Sequence, residues 1–332
     1  MTTKSEGALQ PGPERLLIRR RLGVTLAVLA WGAAFSAGAT EGGLGRPITG
    51  MQAGSFSGVV PATPGWSMAV SYLYYAGEIG AGRESPIPGG GSALGLNLTA
   101  QMLSISAVYV WDTGEGPWNF ASVAAVPLAK IDAGVDLRIG STSGSVSDSD
   151  TGLFDMTFVP VVASRHFSPT KHMSLALYIS APTGSYEEGR LAVLSLNTWV
   201  YSPTVGYTQL FQEGTLEWST TTAIDFYTKN DATDYQNGAD FRVDSLLIKR
   251  FANGWGFGAV GGWIEQIQDD DAAIADRLDG FRGHSLGVGP IVTYDKKWDG
   301  GSAEFSARWA HEFDVKNRLE GDPFMLMASI EF

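Results

Sequence analysis

The stretch TLEWSTTTAIDFY, at residues 215–227, changes polarity from one residue to the next. One side carries Leu216, Trp218, Thr220, Thr222, Ile224 and Phe226, and the other carries Thr215, Glu217, Ser219, Thr221, Ala223, Asp225 and Tyr227. A period of two is typical of a β-strand with two different faces, because successive side chains of a strand point to opposite sides. The helical spacing i, i+3, i+4 does not fit this stretch, so we predict a strand.

The same alternation recurs along the chain from Trp66 onward, between clusters of Gly, Asp, Asn and Pro. Clear examples are SAEFSARWAHEF at residues 302–313, NTWVYSPTVGYTQLF at residues 197–211 and the last stretch, FMLMASIEF, at residues 324–332. The pattern predicts twelve strands, at residues 66–76, 101–111, 118–129, 154–166, 172–181, 197–211, 215–228, 240–251, 255–267, 284–294, 302–313 and 324–332.

The connections between these strands alternate in length, and every second one is long. The long connections are 77–100, 130–153, 182–196, 229–239, 268–283 and 314–323. Tight turns at one end and longer loops at the other are typical of bacterial outer-membrane barrels. Within the second long connection, residues 131–140 are suited to form an additional hairpin arm.

Two further requirements of a membrane barrel are met. Only a closed sheet satisfies every backbone hydrogen bond in hydrocarbon, and an even strand number brings both termini to the periplasmic side. Aromatic residues such as Trp66, Trp199 and Trp255 lie near strand ends, which fits two girdles at the headgroup level better than the core of a soluble sandwich. We therefore predict an all-β protein, a transmembrane antiparallel up-and-down β-barrel of about 12 strands at residues 66–332, in the bacterial outer membrane.

The first 39 residues have the layout of a cleaved signal peptide. Arg19, Arg20 and Arg21 precede an apolar run at residues 22–35, and a small-residue cleavage site follows at residues 37–39. The apolar run is shorter than the roughly 20 residues that a membrane-spanning helix needs, which disfavours an anchoring helix. No run of 18 apolar residues follows residue 39, so the predicted strands must make any crossing of the membrane.

Residues 40–65 form a Gly- and Pro-rich segment without alternation. Two placements remain open for it: a plug folded into the lumen, or a periplasmic leader. The apolar residues Val59, Val60 and Pro61 favour the plug, since burial removes them from water.

Charged residues on the polar face of a barrel strand are expected to face the lumen, because a basic residue at the lipid midplane costs about 2–4 kcal/mol. We predict these pore-lining residues: Glu217, Asp225, Arg242, Asp244, Glu304, Arg308 and Glu312. Alternatively, each of these residues forms a salt bridge that only fills the lumen. A bore of twelve strands is expected to be narrow, because 8 strands leave room only for side chains and 16–18 leave an aqueous channel.

The composition disfavours several other functions. With 23 Lys and Arg against 35 Asp and Glu, the net charge is −12, which argues against nucleic acid as a partner. The chain has no Cys and only four His, none in a group with metal-ligand spacing, so no metal or other cofactor is expected. His172 and Ser174 share a strand face, as in outer-membrane phospholipases, but the topology places them at the periplasmic end and in the lumen. We therefore predict that the protein is not an enzyme.

Several short motifs, in order along the chain, resemble one family. They are GVVPATPGW (58–66), TGLFD (151–155), APTGSY (181–186), LNTWVYSPTVGYT (196–208), DYQNGADFRVD (234–244) and GAVGGWIEQIQDDD (258–271). The family is that of outer-membrane proteins named for the meta-cleavage pathway of phenol degradation, often described as transporters. Phe154 stands where the family motif has a second Gly.

The resemblance implies an outer-membrane channel for passive uptake of small organic compounds, aromatic or hydrophobic. It also implies three polar positions, Asp155, Gln266 and Asp269, that contact a solute or the plug; structural hydrogen bonds at strand ends are the alternative. The rival function is a structural or surface-interaction barrel with a closed lumen. The expected partners are outer-membrane lipid, a small organic solute and the barrel-assembly machinery, which would recognise the C-terminal strand ending in Phe332.

Overall fold

A computed structural model of the chain describes residues 47–87, 91–114, 116–139, 142–298 and 301–331. Within these ranges the regular structure consists of strands, one short α-helix, α1 (Ala273–Arg277), and two 3-10 turns at Gln212–Gly214 and Asp279–Phe281. The strands are β1 (Gly65–Ile87), β2 (Gly91–Val110), β3 (Trp118–Ile139), β4 (Thr142–Leu153), β5 (Met156–Ser168), β6 (Lys171–Ala181), β7 (Val200–Phe211), β8 (Leu216–Tyr227), β9 (Asp240–Arg250), β10 (Trp255–Gln266), β11 (His284–Trp298), β12 (Gly301–Trp309), β13 (His311–Lys316), β14 (Glu320–Gly321) and β15 (Phe324–Glu331). In this described part, α1 included, no helix has the length and apolar character to span a membrane.

The strands pair antiparallel into a closed ring. The last strand, β15, pairs with β1 on one side and with β12 on the other; Leu326, for example, lies opposite both Tyr72 and Ala307. The pairing of β10 with β11 completes the ring. Within the described residues, fifteen strands fill twelve positions in the ring, because β4 shares one position with β5, β12 shares one with β13, and β14 shares one with β15. The prediction of a twelve-stranded barrel is confirmed.

Two of the predicted long loops are instead extensions of wall strands. Strands β1 and β2 continue beyond the wall as one hairpin, and β3 continues to Ile139, where it pairs with β4. The predicted hairpin arm is thus present. The sequence TSGSVSDSDTGL of β4 lacks apolar alternation, because a strand that extends into water has no apolar face to bury.

One predicted strand is interrupted. Residues 302–313 divide into β12 and β13 at Ala310, whose amide donates to the carbonyl of Pro323. Beyond this point β13 pairs with β11, while the short β14 pairs with β1. The interruption therefore lets the chain between β12 and β15 close the extracellular part of the wall.

Large apolar side chains cover the outside of the wall. Trp218, Leu247 and Phe257 are 39%, 48% and 54% exposed, while inward neighbours such as Glu217 and Ile248 are fully buried. An apolar surface that surrounds the whole wall is far larger than soluble proteins expose, so lipid must cover it.

The two ends of the barrel differ. The ends of β1 and β15 that lie nearest the chain termini pair at Ser67 and Glu331, on the same side as the tight turns, which is therefore the periplasmic side. The loops at the other, extracellular, end are long. One of them, residues 182–199, folds inward, and its Leu191 and Leu194 pack on inward side chains of β1–β3 such as Leu96.

Some predictions fall on residues that the structure does not describe. The expected signal peptide at residues 1–39 and the terminal Phe332 lie outside the described residues, as do residues 40–46.

Candidate functional site

The described residues that precede β1 lie against the inward face of the wall; we call residues 47–64 the inner segment. Asp244 of β9 accepts hydrogen bonds from the amides of Gly50 (3.1 Å) and Gln52 (2.6 Å). Arg308 of β12 donates to the carbonyls of Gly50 and Ala53. Since β9 and β12 belong to different parts of the ring, the inner segment is held between them, inside the lumen.

A charged group holds the middle of the inner segment. The amide of Phe56 donates to Glu217 of β8 (2.6 Å), and the other carboxylate oxygen of Glu217 pairs with Arg250 of β9 (2.7 Å). The Arg250 guanidinium also pairs with Asp295 and lies 3.7 Å from Glu304. These four charges form one network, because Arg250 contacts all three acids.

Hydroxyl groups of wall residues form hydrogen bonds with the next residues of the inner segment, Ser57 and Gly58. The Thr208 hydroxyl accepts a hydrogen bond from the amide of Gly58 (3.0 Å), and the Ser164 hydroxyl donates one to the carbonyl of Gly58 (2.8 Å). Ser174 donates to the carbonyl of Ser57 (2.8 Å). Three neighbouring strands, β5, β6 and β7, thus bind two consecutive peptide units of the inner segment.

Glycine allows the inner segment to approach the wall closely. A Cβ at Gly58 would lie 2.7 Å from the backbone nitrogen of Thr208, and a Cβ at Gly262 of β10 would overlap the nitrogen of Gly50. Real Cβ atoms do not come so near to backbone atoms. Glycine at these positions therefore lets backbone pack against backbone.

Contacts near the extracellular end fix the start of the inner segment. The hydroxyls of Thr49 and Ser285 of β11 lie 2.6 Å apart, and Arg318 donates to the carbonyl of Pro47. Arg318 lies in the loop between β13 and β14, so this loop also contacts the inner segment.

Each of the seven sequence-predicted pore-lining residues points inward. Besides the four already described, Asp225 pairs with Arg242 (2.8 Å). Glu312 accepts from the Tyr75 hydroxyl (2.8 Å) and the Gly321 amide (3.0 Å). All seven thus contact either the inner segment or a polar group of the barrel. It stays a prediction that they line a conducting path.

Three charged residues of the site were not predicted from the sequence: Arg250, Asp295 and Arg318. Arg250 lies an even number of residues after Arg242 and Asp244. The alternation therefore also predicts that Arg250, near the end of the predicted strand, points inward. Asp295 falls in a predicted turn and Arg318 in a predicted loop, where alternation gives no signal.

Asp155 organises an extracellular loop. Its carboxylate accepts hydrogen bonds from the amides of Thr183 (3.0 Å), Gly184 (3.1 Å) and Leu196 (3.0 Å). Burial raises the pKa of Asp155, and the hydrogen bonds that it accepts oppose that shift. The carboxylate joins both ends of the loop at residues 182–199.

Gln266 and Asp269 hold another extracellular loop. Gln266 accepts from the amide of Gly283 (3.1 Å) and donates to Asp270 (2.7 Å). Asp269 pairs with Arg282, and both side chains are more than half exposed. These contacts are structural, and a contact of Asp155, Gln266 or Asp269 with a solute stays a prediction.

His172 and Ser174 make contacts other than those of a nucleophile and its base. Ser174 donates to the inner segment, and the Nδ1 atom of His172 lies 2.7 Å from Nδ1 of His166. Across the described ranges, no group of three or more His, Cys, Asp or Glu is arranged to hold a metal ion.

Comparison with known proteins identifies relatives of this barrel. A family model with the description "Putative MetA-pathway of phenol degradation" matches residues 81–328. An outer membrane channel from Pseudomonas putida F1 superposes on 82% of this chain and 97% of its own, with a TM-score of 0.65 and 13% sequence identity, which shows a shared fold. The beta domain of the Bordetella autotransporter BrkA covers 81% of this chain and 100% of its own, with a TM-score of 0.48 and 10% identity. A search of curated proteins finds no significant match.

Proposed function

Since this chain belongs to the family of the MetA pathway of phenol degradation and forms an outer-membrane barrel, we propose that it is a channel for passive uptake of small organic solutes, with the inner segment as its plug. The observation that carries this proposal is how the inner segment is held. Its backbone bonds to wall side chains such as Asp244, Arg308 and Thr208. Neutral hydrogen bonds of this kind contribute about 0.5–1.5 kcal/mol each, and charged ones about 1.5–3 kcal/mol. Such contacts can be exchanged one by one with water, as a movable plug requires.

One side of the lumen is apolar and the other is charged. This difference supports a solute that is aromatic or hydrophobic and carries a polar group at one edge. On the β1–β3 side, Leu96, Leu98 and Ile131 form an apolar surface in the extracellular half. On the β8–β9 side, Asp225 and Arg242 are charged. A phenol presents an apolar ring to the first surface and a hydroxyl to the second. In the described conformation, residues 191–194 cover the apolar surface.

Conductance and flux test this proposal together. We expect the purified protein in planar bilayers to give small or brief current steps, and a variant without residues 47–64 to give larger and longer ones. Proteoliposomes with the truncated variant should take up phenol faster than those with the intact protein. Heat-modified electrophoretic mobility, checked first, shows that the truncated barrel is folded.

A closed barrel that acts through its extracellular loops is the second candidate. The pairing of Glu217 and Asp225 with arginines favours it, because fully paired charges also serve simply to fill a lumen. This candidate predicts that neither protein conducts and that phenol flux matches that of empty vesicles. Such a result, with a folded truncated barrel, would overturn the channel proposal.

A further inference from the structure

The outer wall carries an arginine between two aromatic rings near its periplasmic end. Arg165 of β5 lies opposite Trp118, the first residue of β3. Its Cζ atom is 5.6 Å from the centroid of the Trp118 ring and 5.1 Å from that of Phe167. Contact with the negative faces of two rings holds the guanidinium in place.

This guanidinium faces the membrane and lies at the depth of the headgroups. Ser164 and His166, its neighbours in β5, point inward, so Arg165 points outward, and it is exposed. It lies three positions before Ser168, the periplasmic end of the strand. A basic side chain costs only about 0–1 kcal/mol near the interface, whereas it costs about 2–4 kcal/mol at the midplane.

Arg165 has donors available for a ligand. Among the described residues it forms no ion pair. Lys171 begins the neighbouring strand β6, and because His172 points inward, Lys171 points outward like Arg165. The outward charges at this place are thus basic, although the chain carries a net charge of −12.

We propose that Arg165 and Lys171 bind the phosphate of a phospholipid in the inner leaflet of the outer membrane. The planar guanidinium offers parallel N–H donors that match two phosphate oxygens, and Lys171 adds a second positive charge. On the midplane side of Arg165, Val161 of the same strand is 39% exposed, where an acyl chain would cover it. This apolar neighbour favours a lipid over free phosphate.

Native mass spectrometry with added phosphatidylglycerol tests the site. We expect the detergent-purified wild-type protein to retain one lipid, and Arg165→Gln to bind it about tenfold more weakly, because a charged hydrogen bond is lost. Lys249→Gln is the matched control. Lys249 also points outward at the periplasmic end, but its amino group already bonds to Gln212 and Thr215, so lipid binding should not change.

Equal lipid binding by the wild type and Arg165→Gln would overturn the proposal. So would displacement of the lipid by millimolar inorganic phosphate, since the site would then prefer the free ion. If Arg165→Gln does not fold, Arg165→Lys keeps the charge and loses only the planar donor pair. Arg165→Lys should bind the lipid more weakly than the wild type, and wild-type binding by this variant would equally count against the site.

Discussion

The guanidinium of Arg250 lies over the ring of Phe56, with its Cζ atom 4.6 Å from the ring centroid. The same guanidinium pairs with Glu217, which in turn accepts the amide hydrogen of Phe56. One residue of the inner segment is therefore held through both its side chain and its backbone. If the inner segment is a plug, this contact should limit its release.

Phe56→Ala should increase the open probability of the channel. The substitution removes a cation–π contact of about 0.5–2 kcal/mol together with the apolar area of the ring. Planar-bilayer recordings measure the effect, and Phe257→Ala, which removes a ring from the lipid-facing wall, is the control. Unchanged recordings for Phe56→Ala would mean that this contact does not limit conduction.

Gly58→Ala should displace the inner segment, whereas Gly54→Ala should not. A Cβ at Gly58 would lie 2.7 Å from a backbone nitrogen of β7 and 2.8 Å from the carbonyl oxygen of His172, but a Cβ at Gly54 would meet no atom within 4 Å. Protease cleavage of the inner segment in the folded barrel, followed by mass spectrometry, reports the displacement. Equal protection of both variants would contradict the close packing described here.

Arg242→Met should destabilise the barrel by roughly 3–5 kcal/mol, because it leaves the Asp225 carboxylate buried without its cation. Urea unfolding in lipid vesicles, followed by tryptophan fluorescence, measures the loss. The exposed pair Lys229–Asp234 supplies the control, and Lys229→Met should leave the midpoint where it is. A similar midpoint for both variants would show that the Asp225–Arg242 pair is not effectively buried.

The extracellular loop at residues 182–199 should detach in acid. Hydrogen bonds from Arg190 lower the pKa of Asp148 in β4 below its ordinary value. A carboxylate whose pKa is lower in the folded state than in the unfolded state stabilises the folded state at pH values above the unfolded pKa. This stabilisation is lost as the pH falls through the folded-state pKa. The loop should therefore be held at pH 7 and released below about pH 4.

A nitroxide label reports this release, and the lack of native cysteines makes the labelling specific. Glu188→Cys places the label on an exposed position of the loop. Its spectrum should sharpen as the pH falls below about 4, and Asp148→Asn should give the sharp spectrum even at pH 7. A spectrum that does not respond to either change would remove the role assigned to Asp148.

The sequence predicted the wall well because the membrane imposes different environments on its two faces. Along β8, the contrast between Trp218 and Glu217 is repeated at every step, so both the strand and the direction of each side chain follow from it. The alternation that identified Asp225 and Arg242 as inward residues also applies to Arg250. These assignments needed no knowledge of tertiary contacts.

Contacts made outside the alternating strands could not be predicted in this way. The partners of the inner segment, from Thr49 to Gly58, come from strands far apart in the sequence, and a Gly-rich stretch has no periodicity that would identify them. The strand β4 was predicted only as a loop, since its sequence has no apolar alternation. Likewise, the contact of Arg165 with two rings depends on the pairing of β3 with β5.

The central claim, that release of the inner segment opens the barrel, can be tested with a reversible crosslink. The hydroxyl oxygens of Thr49 and Ser285 are 2.6 Å apart, so cysteines at both positions should form a disulfide between the inner segment and β11. Thr157 and Ser180, whose hydroxyls are 2.8 Å apart, give the control disulfide between two wall strands.

The most direct measurement is the bilayer conductance of the Thr49→Cys/Ser285→Cys protein before and after reduction. We predict that the oxidised protein is silent, that a reductant restores current steps, and that the control disulfide has no effect in either state. Equal conductance of the oxidised and reduced proteins, with the disulfide verified by mass spectrometry, would contradict the account.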